Sequence, residues 1–141
     1  MAKKEYKQNL TFEMVNDSDS VYLMNVVRQG VNFEAFLNLV KMIPFSMPDW
    51  SRFLHITDRT MQRYRKEMKS FDTIQSEKII QITLLYKKGT DIFGAKEKFD
   101  SWLISDNLAL GSVKPKDLLD NAFGINLLND ELTRIEHGVL A

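Results

Sequence analysis

The chain has 141 residues, of which 44% are hydrophobic and 11% aromatic, enough to build a core in one domain or two small subdomains. The absence of cysteine excludes disulfide bonds, thiolate zinc sites and a cysteine nucleophile. The net charge of +0 gives no general attraction to polyanions. No signal-peptide pattern or apolar run of the ~20 residues that span a bilayer is present, so we expect a cytoplasmic protein with no membrane partner.

The charges are distributed unevenly along the chain. Residues 52–88 contain nine Lys/Arg and four Asp/Glu, a local balance of +5. Residues 95–141 contain five Lys/Arg and eight Asp/Glu, a balance of −3. A basic centre followed by an acidic C-terminal third indicates two different kinds of partner.

The N-terminal part predicts a polar arm followed by three short helices. Residues 1–19 are polar and end in turn-forming residues, which is typical of a loosely held arm. The first helix covers 21–29 and ends at Gly30, the second is capped by Asn32, and the third follows a capping-box-like sequence at Ser46. The predicted inner faces of the second and third helices consist of Phe33, Phe36, Leu37, Val40, Trp50, Phe53 and Leu54.

The next segment has the pattern of a helix-turn-helix. The third helix ends, about three residues turn, and a new helix begins at Thr57 or Asp58, with Met61, Tyr64 and Met68 on its inner side. Hydrogen-bond donors occupy its start and outer side, at Thr57, Arg59, Thr60, Gln62, Arg63 and Lys66. Such side chains reach phosphates and base edges in a major groove. We therefore predict a DNA-recognition helix over Arg59–Met68.

Two observations keep a second interpretation open. The turn position that usually carries glycine carries His55, although histidine tolerates a left-handed conformation better than most residues. Cationic residues on the outer side of an amphipathic helix are also commonly just solvated. From spacing alone, a DNA-binding face and a solvated face are both open.

The remainder predicts one long helix and several short ones. Residues 74–88 are apolar around most of the helix circumference and continue past Gly89 toward Gly94, which favours a buried central helix over the alternative of a dimer surface. A short helix at 99–103 and a helix beginning at Pro115 follow. The residues Phe123–Ile125 are predicted to end the helix that begins at Pro115. A closing helix, capped by Asn126 or Asn129, then follows and ends at Gly138.

An ordered set of residues in this last third carries a family resemblance. It consists of Phe99, Asp100, Trp102, Leu103, Asn107, Ala109, Leu110, Gly111, Lys114, Pro115, Asp117, Leu118, Leu119, Gly124, Leu132, Arg134, Ile135, Glu136, His137, Gly138 and Val139. The set resembles the toxin-binding domain of Xre/MbcA/ParS-type antitoxins. Upstream, Ile56, Thr57, Arg59, Thr60, Met61 and Arg63 resemble the Xre-type helix-turn-helix of the same family. The N-terminal arm lies outside the resemblance.

The residue patterns and the resemblance together predict an all-α protein. Its parts are an arm over 1–19, which the resemblance does not cover, a helix-turn-helix bundle over 20–94 and a small helical toxin-binding domain over 95–141. Its partners would be a RES-domain toxin that consumes NAD, whose active site the antitoxin obstructs, and operator DNA in its own promoter, bound as a homodimer. The residues implied at the toxin are Arg134, Glu136, His137, Gly138, Val139, Leu140 and Ala141.

Other interpretations stay beside this one. A helix-turn-helix regulator without a toxin partner is the main alternative, and an antitoxin with a degenerate DNA-binding half is another. Gly138 also has a structural explanation as a helix C-cap, and His137 suits a helix C-terminus because the helix dipole attracts cations there. With His55 and His137 as the only histidines, we expect no catalytic centre, metal or cofactor.

Overall fold

The structure, a computed structural model, describes residues 9–138 and is all-α over that range, as predicted. Its α-helices are α1 (Ser20–Gln29), α2 (Phe33–Val40), α3 (Met47–Phe53), α4 (Asp58–Glu67), α5 (Thr73–Phe93), α6 (Lys96–Leu103) and α7 (Ala122–Glu136). Short 3-10 helices cover Phe12–Met14, Asp17–Asp19, Leu108–Leu110 and Pro115–Asp120. Over the same range, no helix is long and apolar enough to cross a membrane.

The N-terminal helices begin and end where the local sequence places their caps. The Asn32 side chain accepts a hydrogen bond of 2.8 Å from the Ala35 N–H at the start of α2. Ser46 and Asp49 form a reciprocal capping box at the start of α3. Gly30 ends α1 with φ +87°, and a Cβ there would lie 2.5 Å from the Phe71 carbonyl oxygen. The predicted caps at these three sites are confirmed.

The core is organised around α5, which packs against α1, α6 and α7. Its predicted continuation past Gly89 is confirmed, and the helix ends at Gly94 with φ +74°. The ring of Phe99 lies directly on Gly89, where a Cβ would be only 2.1 Å from the ring. Glycine at this position therefore lets α6 approach the middle of α5 closely. The largest fully buried side chains include Trp50, Tyr86, Phe33, Phe36, Phe53 and Phe99.

The N-terminal arm is packed against α5 from residue 9 onward. Leu10 and Val15 are fully buried. The Lys87 ammonium donates hydrogen bonds of 2.9 Å to the Phe12 carbonyl and 2.6 Å to the Val15 carbonyl. The prediction of a loosely held arm is wrong for residues 10–15, because apolar side chains spaced among polar residues pack at the edge of the core. Residues 1–8 lie outside the described residues.

The closing helix starts earlier than predicted. Asn121 caps it by accepting a 2.8 Å hydrogen bond from the Gly124 N–H, so the predicted break at Phe123–Ile125 and the caps at Asn126 or Asn129 are wrong. Gly124 is buried in the first turn of α7, where a Cβ would lie 1.9 Å from the Leu118 carbonyl oxygen. This glycine permits close packing instead of ending a helix.

Candidate DNA-binding and toxin-binding surfaces

The turn between α3 and α4 has the geometry of a helix-turn-helix. His55 adopts φ +56°, the left-handed conformation that glycine usually supplies at this turn. Thr57 caps α4, since its hydroxyl oxygen accepts a 3.0 Å hydrogen bond from the Thr60 N–H. The Thr57 hydroxyl also donates to the Thr60 hydroxyl over 2.9 Å. Both threonines therefore shape the start of α4 in the free protein.

The outer side of α4 carries the donors that the sequence assigns to DNA. Arg59, Gln62, Arg63 and Lys66 are all exposed, while Met61 on the opposite side is buried. Arg63 lies over the ring of Tyr64, 5.8 Å from its centroid. Among residues 9–138, no ion pair engages the four, which leaves the three charged groups accessible to phosphates. Their contact with DNA stays a prediction.

Met68 departs from the predicted pattern of α4. The sequence places it on the inner side, but its side chain is 49% exposed and its φ is +48°. Met68 follows the last helical residue, Glu67, as a left-handed cap. The seven-residue spacing from Met61 therefore no longer determines its direction, and the prediction for Met68 is wrong.

The C-terminal 3-10 helix Pro115–Asp120 braces this helix-turn-helix through ion pairs. Lys116 pairs with Asp49 over 2.8 Å, and Arg52 pairs with Asp117 over 3.4 Å. Burial acts to raise the pKa of the Asp49 carboxyl, but hydrogen bonds from Lys116 and Ser46 outweigh it and the pKa is lowered. Ion pairs of this kind, between residues far apart in sequence, leave no signal in local spacing.

The Asp120 carbonyl oxygen is a second bracing point. It contacts His55 Nε2 at 2.5 Å and accepts a 3.1 Å hydrogen bond from the Lys78 ammonium. The pKa of Lys78 is lowered by its partial burial, against the attraction of the Asp120 carboxylate. One carbonyl of the C-terminal segment thus joins the turn before α4 to α5.

The end of α7 forms the second candidate surface. Arg134, Glu136, His137 and Gly138 are all exposed, and Gly138 follows the helix with φ +67°. The predicted toxin-contacting residues Val139, Leu140 and Ala141 lie outside the described residues. These four residues are thus open to solvent, and their contact with a toxin stays a prediction.

Arg134 also has a structural partner that we did not predict from the sequence. Its Nη1 atom lies 3.2 Å from Oε2 of Glu131, whose side chain is only 5% exposed. The three-residue spacing on one helix is a signal that could have predicted this pair. Removal of Arg134 would leave a buried carboxylate without its cation, so this residue serves the fold as well as any contact.

Between residues 9 and 138, no three His, Asp or Glu side chains come together as a metal site. The two histidines lie at the helix-turn-helix turn and at the end of α7, in different parts of the fold.

An all-α chain in which an exposed basic helix follows a short helix and a tight turn has the architecture of a helix-turn-helix protein, here with two candidate binding surfaces. Comparison with known proteins agrees with this class. Residues 23–83 match the model of the antitoxin Xre-like helix-turn-helix domain. Residues 88–138 match the model of the antitoxin Xre/MbcA/ParS C-terminal toxin-binding domain. The chain belongs to the Xre/MbcA/ParS-type antitoxins, proteins of toxin–antitoxin systems, and the predicted family is confirmed.

Two curated relatives align with the chain over most of their length. The chain is 24% identical over 125 residues to Antitoxin Xre of Yersinia enterocolitica, covering 88% of this chain and 84% of the relative. The identity and both coverages are the same for Antitoxin Xre of Photorhabdus laumondii. The predicted domain boundary between residues 94 and 95 stays a prediction. The two matched regions are separated by residues 84–87, and these lie inside the continuous helix α5.

Proposed function

We propose that the chain neutralises a RES-type, NAD-consuming toxin by binding it directly and occluding its active site. The observation that carries the proposal is the exposed end of α7, from Arg134 to Gly138, within the region that matches a toxin-binding domain. A charged helix end followed by the apolar residues Val139–Ala141 combines hydrogen-bonding groups with a hydrophobic anchor. That combination suits insertion into a concave site that is mostly apolar and has a few polar groups.

The test is co-expression with the product of the adjacent open reading frame, scoring growth and co-purification. We expect rescue of a toxic neighbour and a stable complex. Glu136→Ala, His137→Ala and removal of Val139–Ala141 should each weaken the complex. Arg134→Ala is a poor probe, because it also removes the partner of buried Glu131. A harmless neighbour that does not bind would favour the regulator without a toxin partner.

We also propose that the chain represses its own operon by binding operator DNA as a homodimer. The four exposed donors on the outer side of α4 support this part, together with the match to an Xre-like helix-turn-helix. A dimer would present two recognition helices to two half-sites of one operator. Analytical ultracentrifugation at micromolar concentration should give the mass of a dimer. A chain that sediments only as a monomer would contradict the proposed homodimer.

The DNA contact is tested on a promoter fragment by fluorescence anisotropy at several salt concentrations. Arg59→Ala, Arg63→Ala and Lys66→Ala should each weaken binding and reduce the slope of log K against log salt by about 0.9 for each phosphate that is no longer neutralised. Arg28→Ala, an exposed cation on α1, is the matched control and should leave the slope unchanged. Unchanged slopes in the α4 variants would show that this face is only solvated.

A further inference from the structure

Two large apolar side chains are exposed on α7, well before its charged end. Phe123 is 88% exposed and Leu127 is 42% exposed. They are four residues apart and so lie one turn above each other on the same side of the helix. Among residues 9–138, no ring or cation contact engages Phe123.

These two residues lie opposite the face of α7 that enters the core. Ile125, Leu128 and Leu132 form the buried face, with exposed fractions of 2%, 0% and 0%. At 3.6 residues per turn, Phe123 and Leu127 share their outer side with three charged or polar residues further along the helix. Those residues are Asp130, Arg134 and His137, all exposed. We call the five residues the α7 outer stripe, which is about 21 Å long at 1.5 Å per residue.

We infer that the toxin contact extends along the α7 outer stripe, with Phe123 and Leu127 as its apolar anchors. The inference rests on the proposed function and adds residues to it. The stripe lies wholly within the region that matches the toxin-binding domain, residues 88–138. It is also continuous along one helix with the exposed end at Arg134–Gly138. The partner surface would hold an apolar pocket for Phe123, about four turns of helix away from the groups that contact His137.

The size of the apolar pair argues against a second copy of this chain as its occupant. A stable interface buries about 800 Å² on each partner, whereas one Phe buries about 150–250 Å². Phe123 and Leu127 alone are therefore too small to hold a dimer. As one end of a surface that already includes the end of α7, they supply one aromatic and one aliphatic anchor.

The test compares Phe123→Ala, Leu127→Ala and the double variant with Ile74→Ala. Ile74 is a close match to Phe123, because it is 77% exposed and is also the second residue of its helix, α5. Alanine is the better helix former at both positions, so folding should be retained in every variant, as thermal melts can verify. Affinity for the purified product of the adjacent open reading frame is then measured by calorimetry.

We expect about tenfold weaker toxin binding for each single α7 variant and about a hundredfold for the pair, with Ile74→Ala unchanged. Wild-type affinity in the double variant would overturn the inference while leaving the proposed function standing. Reduced self-association in sedimentation, with unchanged toxin affinity, would assign the pair to a second copy and also overturn it. If the wild-type chain itself fails to bind the neighbour, the proposed function and this inference fall together.

Discussion

Gly124 lies in the first turn of α7, and its replacement by alanine sets helix propensity against packing. Propensity alone predicts stabilisation by about 1 kcal/mol, since glycine is the poorer helix former. The structure predicts the opposite sign. An alanine Cβ would lie 1.9 Å from the Leu118 carbonyl oxygen and 2.8 Å from its carbonyl carbon. Both are backbone atoms, so no side-chain rotation can relieve the overlap.

The magnitude follows from how far that backbone would have to move. An ordinary contact requires a separation of at least 3.4 Å, so the Leu118 carbonyl must shift by roughly 1.5 Å. The 3-10 helix that carries it is tied to α3 through Lys116 and Asp117, which limits this movement. We take about 3 kcal/mol for the overpacking and subtract about 1 kcal/mol for propensity. The expected net destabilisation is about 2 kcal/mol, or about 4–8 °C in Tm.

Thermal melts followed by far-ultraviolet circular dichroism measure this difference directly. Asn126→Ala is the matched control, because Asn126 is exposed on the same helix and alanine should raise stability there by a few tenths of a kcal/mol. A Gly124→Ala chain that melts at or above the wild-type temperature would refute the close approach of the Pro115–Asp120 segment to α7. It would then favour propensity as the main effect of this glycine.

Further predictions concern the arm, one tyrosine and the C-terminal third. Lys87→Met keeps the apolar stem but removes the donor to the arm carbonyls, so stability should fall by about 2 kcal/mol and residues 9–15 should become sensitive to proteases; an unchanged cleavage pattern would contradict this. Burial and the Asp100 hydrogen bond raise the pKa of Tyr86 from 10.0 to about 12. The protonated Tyr86 hydroxyl should therefore stabilise the fold fully below pH 10, and this contribution should be lost as the pH rises through 12. An ultraviolet titration of the Tyr86→Phe variant should lack the step near pH 12. A chain ending at Gly94 uncovers the sides of α5 that α6 and α7 cover, so it should not melt cooperatively at the wild-type temperature.

Sequence predicts this fold best where a structure is determined by neighbouring residues. Gly30, Asn32 and Ser46 act within one helical turn, and each occupies the predicted cap. The spacing of apolar residues likewise determines which side of α4 faces the core, so that Met61 is buried and the hydrogen-bond donors on the opposite side are exposed. Periodicity fails at Met68 because the helix has already ended there.

The parts that sequence did not predict depend on contacts between distant residues. Lys87 holds the carbonyl of Val15, which is 72 positions away, and nothing local distinguishes this lysine from a solvated one. Gly124 is ambiguous for a similar reason, because a glycine that ends a helix and one that admits a neighbouring backbone have the same local pattern. At the candidate toxin surface, the helical periodicity of the sequence is enough to predict which side of α7 faces outward. That prediction, however, requires the true start of the helix, Ala122, which was predicted too late in the chain.

His55 links the turn before α4 to the Pro115–Asp120 segment. A left-handed conformation costs a non-glycine residue roughly 1–2 kcal/mol, which the chain could avoid with glycine at this turn. Histidine, however, places a ring nitrogen against the Asp120 carbonyl, a hydrogen bond that glycine could not make and that offsets about 1 kcal/mol. Lys116 and Asp117 of the same segment pair with Asp49 and Arg52 of α3. The turn before α4 is therefore braced, through direct contacts, by the Pro115–Asp120 segment of the region that matches the toxin-binding domain.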